Sequence, residues 1–398
     1  MPAPPFVLLL FPAPADAFGV RHRVGGLTTQ LRLALTAQAA GARAVHLASG
    51  AEPLEASLRD PRLKIPVLRG HPEDDPIAIQ VAAHVVVHRG LFAALRDGIS
   101  DSRPRSIGTG ESGVVVHPPR AERMSEGPPI PFVFAPPFGF TPIAVTTARD
   151  ARRAVTALLH SLRKTQDGWT STYLNRYVSL SVTRLLVHTG IRPNQLSLGI
   201  LVIGLASGVV AARGDRDSLI FGAALLQTQS VLDGCDGELS RLTFRGSRLG
   251  EWLDTIGDDL SNYGFFAGAS YGLFRATHWL PYLVIGAIIV ACGLTTSGLE
   301  YRYLARIGSG DLLKYPLALA DEGRPPTTTL GRIGAGVRPL FKRDTFVFIT
   351  FLAAAAGALG PMLALFAAGG VGIVTAVIKT EVRLARERRL GGDDSSSA

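Results

Sequence analysis

Seven carboxylates lie close together in residues 231–259, within an otherwise apolar half of the chain: Asp233, Asp236, Glu238, Glu251, Asp254, Asp258 and Asp259. Asp233 and Asp236 are three residues apart, and Asp254 and Asp258 are four apart. Each of these two pairs therefore occupies one face of a helix. Because a charge in the core of a bilayer costs at least about 2.5–3.5 kcal/mol, acids in this setting need compensation.

Two neighbouring antiparallel helices could direct all four aspartates of these pairs into one polar cavity. Oxygen ligands without His or Cys favour the hard cations Mg²⁺ or Mn²⁺ over Zn²⁺. Four carboxylates suit two such ions, which can assist a displacement at phosphorus. Gly237 and Gly250 would let a ligand approach the backbone, and Arg241 supplies a cation suited to phosphate.

Two other interpretations fit the same spacing. The acids could line a cation channel or a transporter site, in which case no reaction is implied. They could also be structural partners of Arg241, Arg245 and Arg248, which follow on the same stretch.

The composition favours a membrane protein. Hydrophobic residues make up 47% of the 398 residues, and the formal net charge is +9. A basic balance favours nucleic acid, a negative membrane surface or phosphorylated substrates as partners. The two cysteines, Cys235 and Cys292, are far apart and indicate neither a disulfide framework nor a zinc site. The first apolar run, "FVLLLF", is short and lacks a basic flank, so it predicts a buried strand rather than a signal peptide.

Residues 1–150 have the pattern of a small cytosolic α/β domain. "FVLLLF" and "AVHLAS" predict strands, and "LTTQLRLALTAQAAGA" predicts an amphipathic helix that ends at Gly41. "VAAHVVVH" predicts another short buried strand, whereas residues 100–131, rich in Ser, Pro, Gly and Arg, predict a loop. "DARRAVTALLHSLRK" predicts a helix with a polar face.

Residues 194–380 are more apolar than the first half, with six long apolar stretches that predict six transmembrane helices. The stretches are residues 196–212, 218–235, 249–274, 279–300, 344–360 and 362–378. Arginine and lysine concentrate in alternate loops and in the tail, which places both termini in the cytoplasm. The alternative is a set of buried helices in a large soluble protein. Residues 151–193 predict a linker and an interfacial amphipathic helix that Pro193 turns into the membrane, and residues 381–398 predict a basic, then polar, disordered tail.

Written out, the acidic spacing is D-x2-D-G-x2-S-R-x8-G-x3-D-x3-D, and it resembles the signature of the CDP-alcohol phosphatidyltransferases. Every gap matches, and seven of the eight fixed positions agree; Ser240 replaces the usual Ala. The resemblance covers roughly residues 170–380. The segment "RPNQLS", which contains Asn194, precedes the first predicted span. It is similar to the Pro-Asn pair with which the first span begins in this family.

The resemblance implies that a CDP-linked donor passes its phosphoryl-alcohol group to an acceptor hydroxyl and that CMP leaves. It implies Asp233, Asp236, Asp254 and Asp258 as ligands of two Mg²⁺ or Mn²⁺ ions, and Asp258 as the base. It also implies substrate contacts at Gly237, Arg241, Ser247, Gly250 and Asn194. Asp259 departs from the family, since many members have Arg there. A homodimer is expected from the resemblance alone.

The junction around residues 152–197 resembles fused proteins that carry an inositol-phosphate cytidylyltransferase ahead of a di-myo-inositol-phosphate-phosphate synthase. The catalytic features of that front domain are missing here. "PAPADAFGVRHR" replaces the Gly-rich loop and Lys after the first strand, and His84 stands where a metal-binding Asp is expected. His84 and His88 are therefore interpreted as ordinary strand residues. The front domain resembles a degenerate, inactive nucleotidyltransferase; an unrelated α/β domain is the alternative.

The sequence thus predicts a multi-pass bacterial inner-membrane transferase in phospholipid-type synthesis, with a CDP-linked donor, an alcohol or phosphopolyol acceptor and no nucleic-acid partner. The fusion resemblance alone favours an inositol-phosphate acceptor. A CDP-diacylglycerol-dependent phospholipid synthase and a non-catalytic, cation-binding membrane scaffold are the alternatives. The identity of donor and acceptor, nucleotide binding by the front domain and the oligomeric state are left undetermined by the sequence.

Overall fold

The computed structural model describes residues 5–14, 16–72, 77–98, 103–108, 110–118, 129–132, 140–163, 170–316 and 343–393. The chain divides into two compact units. The front unit comprises Met1–Thr165, Thr183–Gly190 and Glu238–Arg245. The helical unit comprises Gln166–Val182, Ile191–Gly237 and Gly246–Ala398.

A seven-stranded sheet organises the front unit, in the order β3-β2-β1-β4-β7-β6-β8. The strands are β1 Phe6–Phe11, β2 Ala42–Leu47, β3 Val67–Arg69, β4 Ile77–Ala82, β5 Val85–Val86, β6 Arg105–Ile107, β7 Val114–His117, β8 Ile130–Pro131 and β9 Ile143–Ala144. The first four strands of this order run parallel, and β7 pairs antiparallel with β4. The unbroken apolar run of β1 suits its central position, because a strand covered on both faces buries consecutive side chains.

Five helices accompany the strands in the described part of the front unit: α1 Phe18–Arg21, α2 Thr29–Ala39, α3 Glu55–Leu58, α4 Leu91–Asp97 and α5 Ala148–His160. Leu33 and Ala37 of α2 belong to the same buried cluster as Phe6 and Leu8 of β1. The α2 helix ends as predicted before Gly41, whose φ of +88° favours glycine. Thr147 and Asp150 form a capping box that starts α5.

Two predictions for the front unit were wrong. Residues 81–88 do not form one strand: β4 ends at Ala82, a turn holds His84, and β5 is a short strand that pairs with β9. The stretch 100–131 is not only loop, because its described residues include β6, β7 and β8. Non-local pairing overrode local composition in both cases, since strands form where a partner edge is available.

The helical unit begins with a π-helical turn, Ser171–Asn175, followed by long helices. They are α6 Arg176–Leu186, α7 Pro193–Ala211, α8 Arg216–Thr243, α9 Arg248–Thr277, α10 Pro281–Ile307, α11 Arg343–Ala355 and α12 Leu359–Asp393. Each of the six predicted spans overlaps a helix among α7 to α12. The α12 helix continues to Asp393, past residue 381, where the sequence predicts that a disordered tail begins. Three described segments are long and apolar enough to cross a membrane: Pro193–Ala211, Pro281–Ile307 and Leu359–Arg386.

The α7 and α9 helices approach each other through small residues. A Cβ atom built on Gly208 would lie 2.3 Å from the carbonyl oxygen of Gly264, and one on Gly268 would lie 2.1 Å from the carbonyl oxygen of Gly208. Backbone contact this close needs glycine on both helices, a pattern common where helices pack within membranes. This contact positions α9, which carries half of the acidic motif.

Candidate active site

Four aspartates line one cavity of the helical unit. Asp233 and Asp236 come from α8, and Asp254 and Asp258 come from α9. One carboxylate oxygen each of Asp233, Asp254 and Asp258 lies within 4.8 Å of the other two. The cavity volume is about 10 Å³, close to the space that one water-sized sphere needs, roughly 10–15 Å³. The cavity is therefore small, and the binding of two ions stays a prediction.

Asp236 lies in the same cavity but is held by other partners. Its carboxylate accepts hydrogen bonds from the Ser197 hydroxyl of α7 and from the Gly237 amide, the latter at 2.5 Å. Asp236 is 6% exposed. These donors satisfy a buried carboxylate, and the role of Asp236 as a metal ligand beside the other three acids stays a prediction.

Arg343, at the start of α11, places its guanidinium in the acidic cluster. Its Nη1 lies 2.6 Å from Asp258 Oδ2 and 3.2 Å from Asp233 Oδ2. Its Nη2 donates to Gln229 Oε1 at 2.7 Å, and Gln229 Nε2 donates to Asp258 Oδ1 at 3.2 Å. In the sequence, Arg343 is one of the basic residues that precede the fifth predicted span. No spacing rule identifies it, because it lies far from the motif along the chain.

The contacts of Arg343 also test whether a metal ion fits. A single guanidinium nitrogen bridges carboxylates from α8 and α9, so this point already accommodates a positive charge. All three clustered donors are carboxylate oxygens, and a glutamine amide lies beside them. Hard divalent cations prefer such donors. The residues present therefore fit Mg²⁺ or Mn²⁺, and Asp233, Asp254 and Asp258 are the side chains that would hold it.

Three of the predicted substrate contacts meet at the start of α9. Ser247 is the N-cap of α9, and its hydroxyl accepts a hydrogen bond from the Gly250 amide at 3.0 Å. A Cβ atom on Gly250 would lie 2.9 Å from Asn194 Oδ1 and 3.2 Å from Ser247 Oγ. Gly250 thus admits the amide of Asn194 at the start of α7. The helix cap gives Ser247 a structural role, and its contact with a substrate stays a prediction.

Arg241 does not line the acidic cavity. It lies in the last turns of α8, within the front unit, where it lines a separate cavity with Arg32 and Arg89. Its predicted contact with a donor diphosphate is not tested by this placement.

Asp259 points to different partners from its neighbour Asp258. The Tyr301 hydroxyl donates to Asp259 Oδ2 at 2.6 Å, and the Ser297 hydroxyl donates to the same oxygen. Ser297 also shares a hydrogen bond of 2.7 Å with the Tyr263 hydroxyl. Asp259 therefore ties α9 to α10, which gives a physical account of an acid at a position where the family pattern often has Arg.

Part of the chain is similar to known proteins. Residues 190–378 match the family model described as CDP-alcohol phosphatidyltransferase. A bifunctional IPC transferase and DIPP synthase from Thermococcus kodakarensis is 35% identical over 136 residues, which is 34% of this chain and 30% of that protein. A protein of the same description from Aquifex aeolicus is 31% identical over 157 residues, 38% of this chain and 36% of that protein. The matched region thus spans about a third of the length of these relatives.

A search of solved structures found the phosphatidylinositol phosphate synthase of Mycobacterium tuberculosis with CDP-DAG bound. It is 18% identical, with a TM-score of 0.39, and covers 51% of this chain and 93% of that chain. Its apo form is 19% identical, with a TM-score of 0.37.

Proposed function

We propose that residues 190–378, which match the CDP-alcohol phosphatidyltransferase family model, form a domain of that family, and that the chain transfers a phosphoryl-alcohol group from a CDP-linked donor to an acceptor hydroxyl. The observation that carries the proposal is the cavity lined by Asp233, Asp236, Asp254 and Asp258. A cation channel would not require the acids of two helices to converge on one small cluster. The family match and the cluster together favour transfer chemistry over a transport pathway.

Asp233, Asp254 and Asp258 would hold a divalent cation, with Asp236 beside them. When bound, such an ion would offset the negative charge of the donor diphosphate and of the phosphoryl group in transfer. Ser197 and the Gly237 amide hold the Asp236 carboxylate in one orientation. Gln229 likewise holds the Asp258 carboxylate in one orientation, because it donates to Oδ1 while Arg343 contacts Oδ2. Preorganised carboxylates of this kind avoid reorganisation during the reaction.

The chemical step is a substitution at phosphorus. The acceptor oxygen forms a bond to the donor phosphorus that carries the alcohol, and the bond from that phosphorus to the bridging oxygen of CMP breaks. CMP leaves with the electron pair of the broken bond. The proton of the acceptor hydroxyl passes to a carboxylate oxygen of Asp258, which acts as general base.

The acceptor is proposed to be of the inositol-phosphate type. The support is the description of the relatives, which are named IPC transferases and DIPP synthases. The finer architecture is also a proposal: a front domain over residues 1–150, a linker over 151–193, a six-span domain over 194–380 with both termini cytoplasmic, and a homodimer in the inner membrane of a bacterium. Three apolar helices and the alternation of basic loops support it.

The test is release of CMP by the purified full-length protein in lipid nanodiscs. Labelled CDP-inositol and CDP-diacylglycerol are each offered with inositol phosphate or glycerol phosphate, with Mg²⁺ and with excess chelator. We expect CMP release from CDP-inositol with inositol phosphate, loss of release with chelator, and loss in Asp233→Asn. The control variant Asp217→Asn changes an exposed acid near the start of α8 and should keep full turnover.

The result also separates the alternatives. A labelled product that partitions into organic solvent would instead identify a CDP-diacylglycerol-dependent phospholipid synthase. Absence of CMP release with every donor and acceptor pair would favour the non-catalytic scaffold. Full turnover in metal-free buffer would contradict the role of the cation.

A further inference from the structure

The front unit contains a second cavity whose charged lining residues are all arginines. Arg32 of α2, Arg89 before α4 and Arg241 near the end of α8 line it. Thr36 and Ser161 are its other polar residues, and the remaining lining residues are apolar. All of these residues belong to one compact unit. The cavity therefore concentrates positive charge, with no acidic residue among those that line it.

Arg32 is the unusual member of this set because it is a buried cation, only 3% exposed. Its Nη1 donates to the Leu242 carbonyl at 2.9 Å, and its Nη2 donates to the carbonyls of Val24 and Gly25 at 2.9 and 2.8 Å. Its Nε has no hydrogen-bond partner among the described residues. Carbonyl dipoles thus hold Arg32 in place, but no carboxylate in the described part of the chain forms an ion pair with it.

Burial and the nearby charge of Arg62 lower the pKa of Arg32 to about 10. Arg32 is therefore still protonated at neutral pH. A buried charge without a counter-ion is costly, and the cost falls when an anion occupies the adjoining space. Arg89, exposed at the cavity, likewise makes no ion pair with a described residue and can close on such an anion.

The size and the available donors limit the kind of ligand. The cavity volume is about 20 Å³, and a water molecule needs roughly 10–15 Å³ on the same measure, so one small group fits inside. The Thr36 hydroxyl already donates to the Arg32 carbonyl at 2.8 Å, and Ser161 to the Leu158 carbonyl at 2.7 Å. Both hydroxyl hydrogens are therefore engaged, so we assign the ligand to guanidinium N–H groups of Arg32 and Arg89, which match the oxygens of a phosphate.

We propose that this cavity binds a single phosphate group, presented by a free phosphate, a nucleotide or a phospholipid, with Arg32 as its buried counter-ion and Arg89 as its outer clamp. The proposal concerns the front unit and does not depend on the transfer reaction. It assigns ligand binding to a domain in which no catalytic function is expected.

The test measures inorganic phosphate binding to the full-length protein in nanodiscs by calorimetry, with chelator present so that no metal-held phosphate contributes. We expect saturable binding that raises the melting temperature, with chloride at equal ionic strength as the reference. Arg89→Gln should weaken binding about three- to tenfold. Arg89→Glu should abolish it, because the new carboxylate supplies the missing counter-charge. Arg89→Glu should also melt no lower than the parent in phosphate-free buffer.

Arg43→Gln is the matched control, since Arg43 is exposed on β2 and does not line the cavity. Asp233→Asn should keep phosphate binding, which separates this proposal from the proposed transfer site. Competition by CMP or by short-chain phosphatidic acid then identifies the source of the phosphate group. Absence of saturable binding, or equal affinities in Arg89→Glu and the parent, would overturn the proposal.

Discussion

Asp258 and Asp259 are adjacent in the sequence, but their side chains meet different partners. Asp258 contacts Arg343 and Gln229 in the acidic cavity, whereas Asp259 accepts hydrogen bonds from Ser297 and Tyr301. Successive residues on a helix are separated by about 100° around its axis, since there are 3.6 residues per turn. One residue can therefore serve the reaction while the next fastens the helix to its neighbour.

This separation leads to a prediction for a pair of variants. Asp258→Asn keeps the shape of the side chain but removes both a proton acceptor and an anionic ligand, so turnover should fall by about 10²–10⁴. Binding of the donor should weaken less than in Asp233→Asn. Asp259→Asn should be much milder, because an amide oxygen can still accept from Tyr301. CMP release from matched nanodiscs measures both. If Asp259→Asn is inactive while Asp258→Asn is active, the face of α9 that serves the reaction carries Asp259 and not Asp258.

A second prediction at this scale concerns Arg343, which occupies the place of a cation between Asp233 and Asp258. Arg343→Gln should raise the affinity for Mn²⁺ at least tenfold, because a unit charge about 4 Å away is worth roughly 4 kcal/mol at an effective dielectric constant of 20. It should also lower the melting temperature in chelator, since the carboxylates then repel each other. Electron paramagnetic resonance of Mn²⁺ and thermal unfolding measure the two effects.

The control for Arg343→Gln is Arg302→Gln, which alters an exposed arginine of α10. It should change neither the affinity for Mn²⁺ nor the melting temperature. A loss of Mn²⁺ affinity in Arg343→Gln would mean that Arg343 shapes the cation site instead of competing for it.

At the scale of elements, the acidic cluster depends on how closely α7 and α9 approach. Glycines allow the backbones to touch, with Gly208 facing Gly264 and Gly268. Ser197 on α7 reaches Asp236, so α7 contributes directly to the cavity as well. The separation of α7 from α9 therefore sets both the stability of the unit and the shape of the cluster.

Gly208→Ala should consequently destabilise the protein. The added methyl group would overlap the Gly264 carbonyl, and overpacking of this kind costs about 1–3 kcal/mol, or roughly 2–4 °C in melting temperature per kcal/mol. Gly199→Ala provides the control, because a Cβ atom on Gly199 meets nothing within 4 Å and alanine favours the helix. Thermal unfolding in detergent should separate the two variants. Equal melting temperatures would contradict the close packing of α7 and α9.

At the scale of the whole molecule, the front unit is built from separate parts of the chain. Residues 183–190 and 238–245 join the α/β domain, and the guanidinium groups of Arg32 and Arg62 donate to the carbonyls of Leu242 and Thr243 at the end of α8. These contacts satisfy carbonyls that a helix end leaves unpaired. They fasten the end of α8 to the α/β part of the front unit.

We expect the front domain to make no CDP-alcohol. The segment after β1, "PAPADAFGVRHR", has neither a lysine nor a glycine-rich loop, and His84 is buried in a turn. Incubation of the full-length protein with CTP, Mg²⁺ and inositol phosphate should release no pyrophosphate, while a nucleotidyltransferase of known activity serves as the positive control. Pyrophosphate release that disappears when residues 1–150 are deleted would show that the domain is active.

Local patterns in the sequence determined the helices of the second unit and the pairing of the acids, because the periodicity of a helix depends only on neighbouring residues. They also located β1, β2 and α2, whose apolar runs are long and clearly bounded. Gly41 and Pro193 marked element ends for the same local reason, the backbone angles that each residue allows.

Only the tertiary structure decided the contacts between residues far apart in the sequence. It brought Arg343 between Asp233 and Asp258, placed Arg241 beside Arg32, and joined Asp259 to Tyr301. It also divided residues 81–88 into two short strands, since β4 pairs with β1 and β5 pairs with β9. The physical reason is the same throughout: burial and strand pairing depend on which distant segment lies alongside, and no local spacing contains that information.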